Sequence, residues 1–122
     1  MPAASIFGFR FVDRSPVVAR VVLPLRAEFL QGEERVHGGI VATLADTAAV
    51  YLLFQDVAPE RAMTSIEFKI NFTRPAVLER GELVATAKLV RKGRQIALAD
   101  VEVEQQGALV AKGLFTYLFS ER

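Results

Sequence analysis

The residues with the clearest chemical potential lie between His37 and Asp46. The only histidine, His37, precedes Gly38 and Gly39, which open a long apolar stretch that reaches Phe54 and contains one charged residue, Asp46. The first N–H groups of a helix lack partners within the helix and carry partial positive charge, and glycine lets a substrate oxygen come close to them. A carboxylate among apolar neighbours is costly unless something pairs with it. An oxyanion-binding helix start beside a buried acid predicts acyl chemistry.

A helix and one strand before it are predicted to position these residues. The helix runs from about Gly38 to about Asp56, and Pro59 lies beyond its end. Upstream, the β-branched stretch Val17–Leu23 lies between two prolines and predicts a first strand. The segment Arg26–Val36 is typical of a loop that leads the chain into the helix.

Beyond the helix the hydrophobic period changes to two, which indicates strands. The four strand candidates there are Ser65–Phe72, Gly81–Val90, Gln95–Gln105 and Ala108–Phe119. In the first of them, every second residue from Ile66 to Phe72 is apolar, so these side chains are predicted to share one face. The dipeptides Lys92-Gly93 and Gln106-Gly107 predict hairpin turns, and strands joined by such turns are antiparallel.

These elements predict an α+β fold with a single domain over residues 1–122. A helix that is apolar on most of its circumference must be wrapped rather than covered on one side. A curved antiparallel sheet of about five strands around a long central helix meets that requirement. The edge strands of such a sheet would be available to pair with a second copy of the chain.

Composition argues against several classes of protein. The net charge of +1 is far from the strongly basic balance of nucleic-acid-binding proteins. The absence of cysteine excludes disulfides and thiolate sites, and one histidine leaves only carboxylates as metal partners, so we expect no metal. The apolar helix carries Asp46 at its midpoint, which favours a core helix over a membrane span. The N-terminus lacks a signal-peptide pattern, and we expect a cytoplasmic protein.

Several segments together carry a family resemblance: Val36–Asp46, Ser65–Ala76, Gly93-Arg94, Gln106–Ala111 and Gly113. They resemble the hot dog fold thioesterases, specifically the PaaI-type branch of the phenylacetate pathway, over nearly the whole chain. The resemblance implies hydrolysis of an acyl-coenzyme A thioester by a homo-oligomer built from dimers, with a dimer of dimers expected. It implies no cofactor, because coenzyme A enters as part of the substrate.

The same resemblance implies roles for individual residues. Asp46 matches the catalytic carboxylate, and Gly38 matches the backbone N–H that polarises the thioester carbonyl. His37 matches the histidine that precedes this glycine. Gln31 falls where the branch commonly has asparagine to orient substrate or water, and Ser65 falls where some members have a helper hydroxyl.

Asp46 would act as a general base toward water or as a nucleophile that forms a mixed anhydride, and the sequence leaves both open. Gly38 and Asp46 are eight residues apart, which on one helix is a separation of roughly 12 Å along the axis. One chain therefore cannot bring both to one thioester carbon unless it doubles back. Two antiparallel copies of the helix would do so, which predicts two shared sites per dimer.

Each of these residues also has a structural interpretation. Asp46 could be a buried acid that bonds Thr43 and Thr47. His37 could be a hydrogen-bonded structural residue, and Gly39 could serve either close packing or substrate binding. We expect no Ser-His-Asp triad, because the helix holds Asp46 away from His37 in the same chain.

The basic residues Arg74, Arg91, Lys92 and Arg94 could bind the phosphates of coenzyme A, although a solvated hairpin turn would also explain the last three. A different function also remains open, namely a non-catalytic hot dog module that binds acyl or aromatic ligands. A hot dog hydratase would place an acid and a histidine differently, and His37 ahead of two glycines does not resemble it.

Overall fold

The computed structural model describes residues 1–122. Its helices are α1 (Ala3–Phe7) and α2 (Gly38–Leu53). Its strands are β1 (Arg10–Arg14), β2 (Val18–Leu23), β3 (Leu30–Gly32), β4 (Arg35–Val36), β5 (Arg61–Phe72), β6 (Leu83–Lys92), β7 (Ile96–Gln105) and β8 (Ala108–Glu121). Two short 3-10 helices cover Ala27–Phe29 and Leu78–Arg80.

Six strands form one antiparallel sheet in the order β1-β2-β6-β7-β8-β5, and β3 and β4 form a small separate ribbon. The long helix α2 packs on the inner face of this sheet, mainly against β2, β6 and β7. The predicted α+β arrangement, in which a curved antiparallel sheet wraps a central helix, is therefore present. The strand β5 pairs with β8 on one side and has no strand on its other side.

The core lies between α2 and the strands beneath it. The helix buries a wide apolar surface: Val41, Leu44, Ala45, Ala48, Ala49, Leu52 and Leu53. The facing positions on β6 and β7 include four alanines without exposed surface: Ala85, Ala87, Ala97 and Ala99. Small side chains on the strands let the helix lie close to the sheet, and each fully buried leucine or valine then contributes about 1.5–3 kcal/mol.

The strand β5 differs from the predicted strand at both its start and its middle. It begins at Arg61 rather than Ser65, so Ser65 lies within a strand and not at its end. A bulge between Ser65 and Glu67 shifts the register. Ser65 consequently faces the same side as Phe68, and the prediction that Ile66 shares that side is wrong. A bulge inserts one unpaired residue, which reverses the alternation on one side of it.

Other boundaries also differ from the sequence expectation. The sheet has six strands rather than about five, because the exposed edge strand β1 is short and carries charged residues that hide its pattern. The helix α2 ends at Leu53 rather than near Asp56. The C-cap Phe54 has a ψ of 1°, outside helical geometry, and Asp56 has a positive φ of 59°.

The two predicted hairpin turns have different outcomes. Gln106 and Gly107 both have positive φ, as a two-residue turn of type I′ requires, and this prediction is confirmed. At the other turn, β6 ends at Lys92 and β7 begins at Ile96, so the connection has three residues. None of the helices is both long enough and apolar enough to cross a membrane.

Candidate active site

The start of α2 leaves one backbone donor free. His37 is the N-cap residue, and its Nδ1 accepts a hydrogen bond of 2.8 Å from the N–H of Gly39. The carbonyl oxygen of His37 accepts from the N–H of Ile40 at 2.9 Å. The N–H of Gly38 has no acceptor within the chain. A helix start with an unpaired N–H can bind a carbonyl oxygen or an oxyanion.

The two glycines differ in their steric requirements. A Cβ atom at Gly39 would lie 3.0 Å from Nδ1 and Cε1 of His37 and would disturb the cap. A Cβ atom at Gly38 would lie 3.4 Å from the ring of Phe72, which is an ordinary contact. Gly39 therefore permits the histidine cap, whereas Gly38 carries the free N–H.

An open cleft of about 470 Å³ lies beside the free N–H of Gly38. Its lining comes from the loop before α2, from the helix start and from the end of β5: Gln31, Arg35, Val36, Gly38, Val41, Phe72, Thr73, Arg74, Pro75, Ala76 and Val110. The structure thus brings two predicted site residues, Gln31 and Arg74, to Gly38. His37 and Gly39 lie outside this lining.

Asp46 is half-buried in the middle of α2, and its carboxylate has one partner. The hydroxyl of Tyr117, on β8, donates a hydrogen bond to Oδ1 of Asp46. The hydroxyls of Thr43 and Thr47 instead donate to helix carbonyl oxygens, those of Gly39 and Thr43, at 2.7 Å each. The structural interpretation in which these threonines hold Asp46 is therefore wrong.

Tyr117 is a site residue that the sequence reasoning missed. Burial raises the pKa of its phenol well above the usual range, and the bond to Asp46 raises it further. The only signal in the sequence is a tyrosine hydroxyl at an inward position of β8, which must find a polar partner when buried.

One chain does not bring Asp46 to Gly38. The helix α2 is continuous from Gly38 to Leu53, so eight residues separate the two by roughly 12 Å along the axis. The cleft beside Gly38 is not lined by Asp46. The acid and the free donor therefore lie at different places along one helix.

Ser65 lies beside Tyr117, the hydrogen-bond partner of Asp46, through the sheet register. It is directly opposite Tyr117 in the β5–β8 pair, and opposite residues of an antiparallel pair point to the same face. Ser65 is exposed because β5 is an edge strand. Its hydroxyl makes no hydrogen bond within the chain.

The predicted basic residues separate into two groups. Arg91 and Arg94 line a cleft of about 770 Å³ at the β6–β7 hairpin, together with Arg61, whose Nη2 donates to the carbonyl oxygen of Arg94. Lys92 is nearby, and its Nζ donates to the carbonyl oxygen of Gln55 at 2.9 Å. Arg74 instead lines the cleft beside Gly38, at the opposite end of β5, which spans roughly 36 Å.

No group of three or more histidine, cysteine, aspartate or glutamate side chains in the chain is arranged to hold a metal ion. The chemistry available from the chain itself is a carboxylate at Asp46, a free N–H at Gly38, the amide of Gln31 and the hydroxyls of Ser65 and Tyr117.

A family model for the thioesterase superfamily matches residues 34–112, which include all of α2 and reach into β8. The chain belongs to the thioesterase superfamily.

Curated relatives place this thioesterase near two enzymes of Escherichia coli. It is 30% identical over 103 residues to the acyl-coenzyme A thioesterase PaaI, across 84% of this chain and 71% of PaaI. It is 29% identical over 97 residues to the medium/long-chain acyl-CoA thioesterase YigI, across 68% of this chain and 61% of YigI.

Solved structures agree with this assignment. The structure of Escherichia coli PaaI has a TM-score of 0.83 and 28% identity, across 97% of this thioesterase and 83% of PaaI. The crystal structure of AziG from S. sahachiroi has a TM-score of 0.91 across 100% of this chain and 98% of AziG, and at 24% identity it supports the fold alone. The predicted hot dog fold and PaaI-type resemblance are confirmed, as is the prediction of a thioester hydrolase.

Proposed function

We propose that this thioesterase hydrolyses acyl-coenzyme A thioesters in two sites per dimer, each built from Asp46 of one copy and the Gly38 N–H of the other. The observation that carries the proposal is the free N–H of Gly38, a residue that lines a cleft and begins the helix that also carries a half-buried acid. The named activities of PaaI and YigI support acyl-coenzyme A as the substrate class.

The exposed edge of the sheet supports the shared arrangement. The inner face of β5 carries Phe68 and Phe72, whose side chains are 46% and 51% exposed in the single chain. An unpaired strand edge with exposed aromatic side chains favours pairing with another strand. A two-fold axis at the middle of β5 would place its Arg61 end beside the Phe72 end of the second copy. The two α2 helices would then lie antiparallel, with Asp46 of each copy near Gly38 of the other.

The chemistry follows from these positions. The thioester carbonyl oxygen would accept a hydrogen bond from the N–H of Gly38, which stabilises the negative charge that develops there. Asp46 would take a proton from the attacking water, or would itself attack the carbonyl carbon. Gln31 lines the same cleft as Gly38 and would orient the water or the acyl group, and Ser65 would contribute a hydroxyl from β5.

His37 and Gly39 would act indirectly in this proposal. Because Nδ1 of His37 accepts from the N–H of Gly39, the cap fixes the start of α2 and aims the N–H of Gly38. The ring of His37 is exposed and could contact the substrate from outside the cleft.

The basic residues would bind the phosphates of coenzyme A at the rim of the shared site. The antiparallel pairing would bring the hairpin with Arg91, Lys92 and Arg94 toward Arg74 of the second copy. Arg61 would belong to the same group, because it lines the hairpin cleft. Guanidinium groups bind phosphate oxygens bidentately. A dimer of dimers and a cytoplasmic location stay predictions.

A complementation experiment tests the shared site. Gly38→Pro removes the N–H at the first helical position, where proline is tolerated, and Gly38→Ala is the matched control that keeps it. We expect Gly38→Pro to lower kcat/KM by roughly 100- to 1000-fold and Gly38→Ala to lose much less. The assay follows thiol release from a panel of acyl-coenzyme A substrates.

Equal amounts of Asp46→Ala and Gly38→Pro chains, unfolded together and refolded, should regain about a quarter of wild-type activity, because half the dimers would hold one intact site. No recovery would show that each site lies within one chain. A wild-type protein that binds acyl-coenzyme A without hydrolysing any member of the panel would favour the non-catalytic module.

A further inference from the structure

The carboxylate of Asp46 contacts one deeply buried side chain, Tyr117. Tyr117 lies on the inner face of β8 and is 1% exposed. Its hydroxyl donates to Oδ1 of Asp46 and lies 3.4 Å from the main-chain oxygen of the same residue. No other side chain of the protein donates to this carboxylate, so Tyr117 alone determines which of its two oxygens accepts a hydrogen bond from the chain.

The phenol of Tyr117 is a constant donor. Burial raises the pKa of Tyr117, and the hydrogen bond to Asp46 acts in the same direction. The hydroxyl therefore stays protonated at neutral pH, and its favourable hydrogen bond is the one that it donates to the carboxylate. A hydrogen bond to an ionised acceptor is stronger than one between neutral groups.

An aspartate without such a donor is free to turn. The torsion of its carboxylate group is broad and roughly two-fold, so the two oxygens can exchange places. A base or nucleophile that must meet a reacting atom at a fixed distance loses rate when its oxygen samples several positions. A donor on Oδ1 restricts this rotation and leaves Oδ2 available to the site.

We propose that Tyr117 is a positioning residue for thioester hydrolysis, which holds Oδ1 of Asp46 and directs Oδ2 toward the reacting atoms. This inference rests on the proposed function of Asp46. With Asp46 as a base, the water oxygen bonds to the thioester carbon while the water proton moves to Oδ2. The C–S bond then breaks, and the proton on Oδ2 passes to the sulfur of the leaving thiolate. With Asp46 as a nucleophile, Oδ2 bonds to the thioester carbon as the C–S bond breaks, and the leaving thiolate takes a proton from solvent. Water then hydrolyses the mixed anhydride and restores the carboxylate.

The chain offers a matched control for this tyrosine. It has two tyrosines, and the second, Tyr51, is half-buried on α2. The ring of Tyr51 packs against Phe11, with centroids 4.8 Å apart, and lies under the guanidinium group of Arg14. Its hydroxyl makes no hydrogen bond in the structure. Tyr51→Phe and Tyr117→Phe thus remove the same atom, and only the second removes a bond to Asp46.

The first test compares the kinetics of the two variants with an acyl-coenzyme A that the wild type hydrolyses. We expect Tyr117→Phe to lower kcat by roughly 10- to 100-fold, the effect of losing a hydrogen bond to a charged group, with KM nearly unchanged. Tyr51→Phe should match the wild type in both respects.

The second test is independent of activity. Proton NMR should show the hydroxyl proton of Tyr117 far downfield in the wild type and in Tyr51→Phe, because it is held in a hydrogen bond to a carboxylate. The Cζ resonance of Tyr117 should also differ between the wild type and Asp46→Asn, which answers the question if Tyr117→Phe folds poorly. Equal kinetics for the two variants, or a Tyr117 resonance that is the same in the wild type and in Asp46→Asn, would overturn the positioning role.

A double variant separates this inference from the proposed function. Tyr117→Phe should add little to the loss in Asp46→Asn, because the donor acts through the carboxylate. Full activity in Asp46→Asn would refute the proposed function, and the NMR resonances of Tyr117 would then still report the Tyr117–Asp46 pair. If the fold-losses in kcat of the two single variants multiply in the double variant, the positioning role is refuted while the role of Asp46 stands.

Discussion

Two stacked phenylalanines on neighbouring strands show how unevenly this protein covers its sheet. Phe115 on β8 and Phe68 on β5 lie opposite each other, with ring centroids 5.0 Å apart and ring planes inclined by 14°. Phe115 is 1% exposed, whereas Phe68 is 46% exposed. The helix α2 covers the strands up to β8 and leaves the inner face of β5 open.

The difference indicates where a single chain stops being sufficient. Apolar side chains under α2 are shielded from solvent by the helix of the same chain, so they stabilise the single chain. Side chains on β5 have exposed apolar surface, which suits an interface with another copy. Asp46 and Tyr117 lie at the boundary between these regions, beside Ser65 on the open strand. The residues proposed to carry out the chemistry therefore lie at the edge of the part of the sheet that α2 covers.

The largest effect on activity is expected from a substitution of Asp46, at that boundary. Asp46→Asn keeps the size of the side chain and can still accept from Tyr117, but it cannot accept a proton at neutral pH. We expect kcat for acyl-coenzyme A hydrolysis to fall by roughly 100- to 10,000-fold, with thermal stability close to that of the wild type. Steady-state kinetics with a thermal melt measures both. A variant with wild-type kcat would show that the boundary is only structural.

The next largest effect is expected in the covered region. Phe115→Ala empties a buried ring position between α2 and the sheet and should lower the free energy of unfolding by about 3–5 kcal/mol. The same truncation at Phe68 should cost an isolated chain far less, because that ring is half exposed. Urea unfolding of both variants checks the comparison. Equal losses at low protein concentration would mean that the two rings are equally important within one chain.

A substitution on the open strand β5 is expected to have the smallest effect on the stability of the single chain. It should instead weaken the association of two chains. Phe68→Ala should raise the dimer dissociation constant by about 10- to 100-fold, because aromatic residues often dominate interfaces. Phe54→Ala is the control, since Phe54 is 40% exposed at the C-cap of α2 and is not part of the edge strand β5. Sedimentation velocity over a dilution series distinguishes them. Equal association of the two variants would place the dimer interface elsewhere.

Most of the secondary structure could be predicted from local patterns. The helix from Gly38 follows from a long apolar stretch that two glycines open, and the strands β6, β7 and β8 follow from a hydrophobic period of two. Both signals need only neighbours along the chain. The strand β1 has no such pattern, and the bulge in β5 depends on its pairing with β8. That bulge replaces Ile66 by Ser65 on the inner face, which no local rule indicated.

The sequence by itself determined the long apolar helix, its glycine start, its single acid and the family resemblance that these residues carry. Only the tertiary structure decided that Tyr117, 71 residues from Asp46 along the chain, is its hydrogen-bond partner, and that Arg61 joins Arg91 and Arg94 at one cleft. Helix and strand formation depends on residues a few positions apart. Contacts between distant residues depend on strand order and register, which are set by packing of the whole sheet against α2.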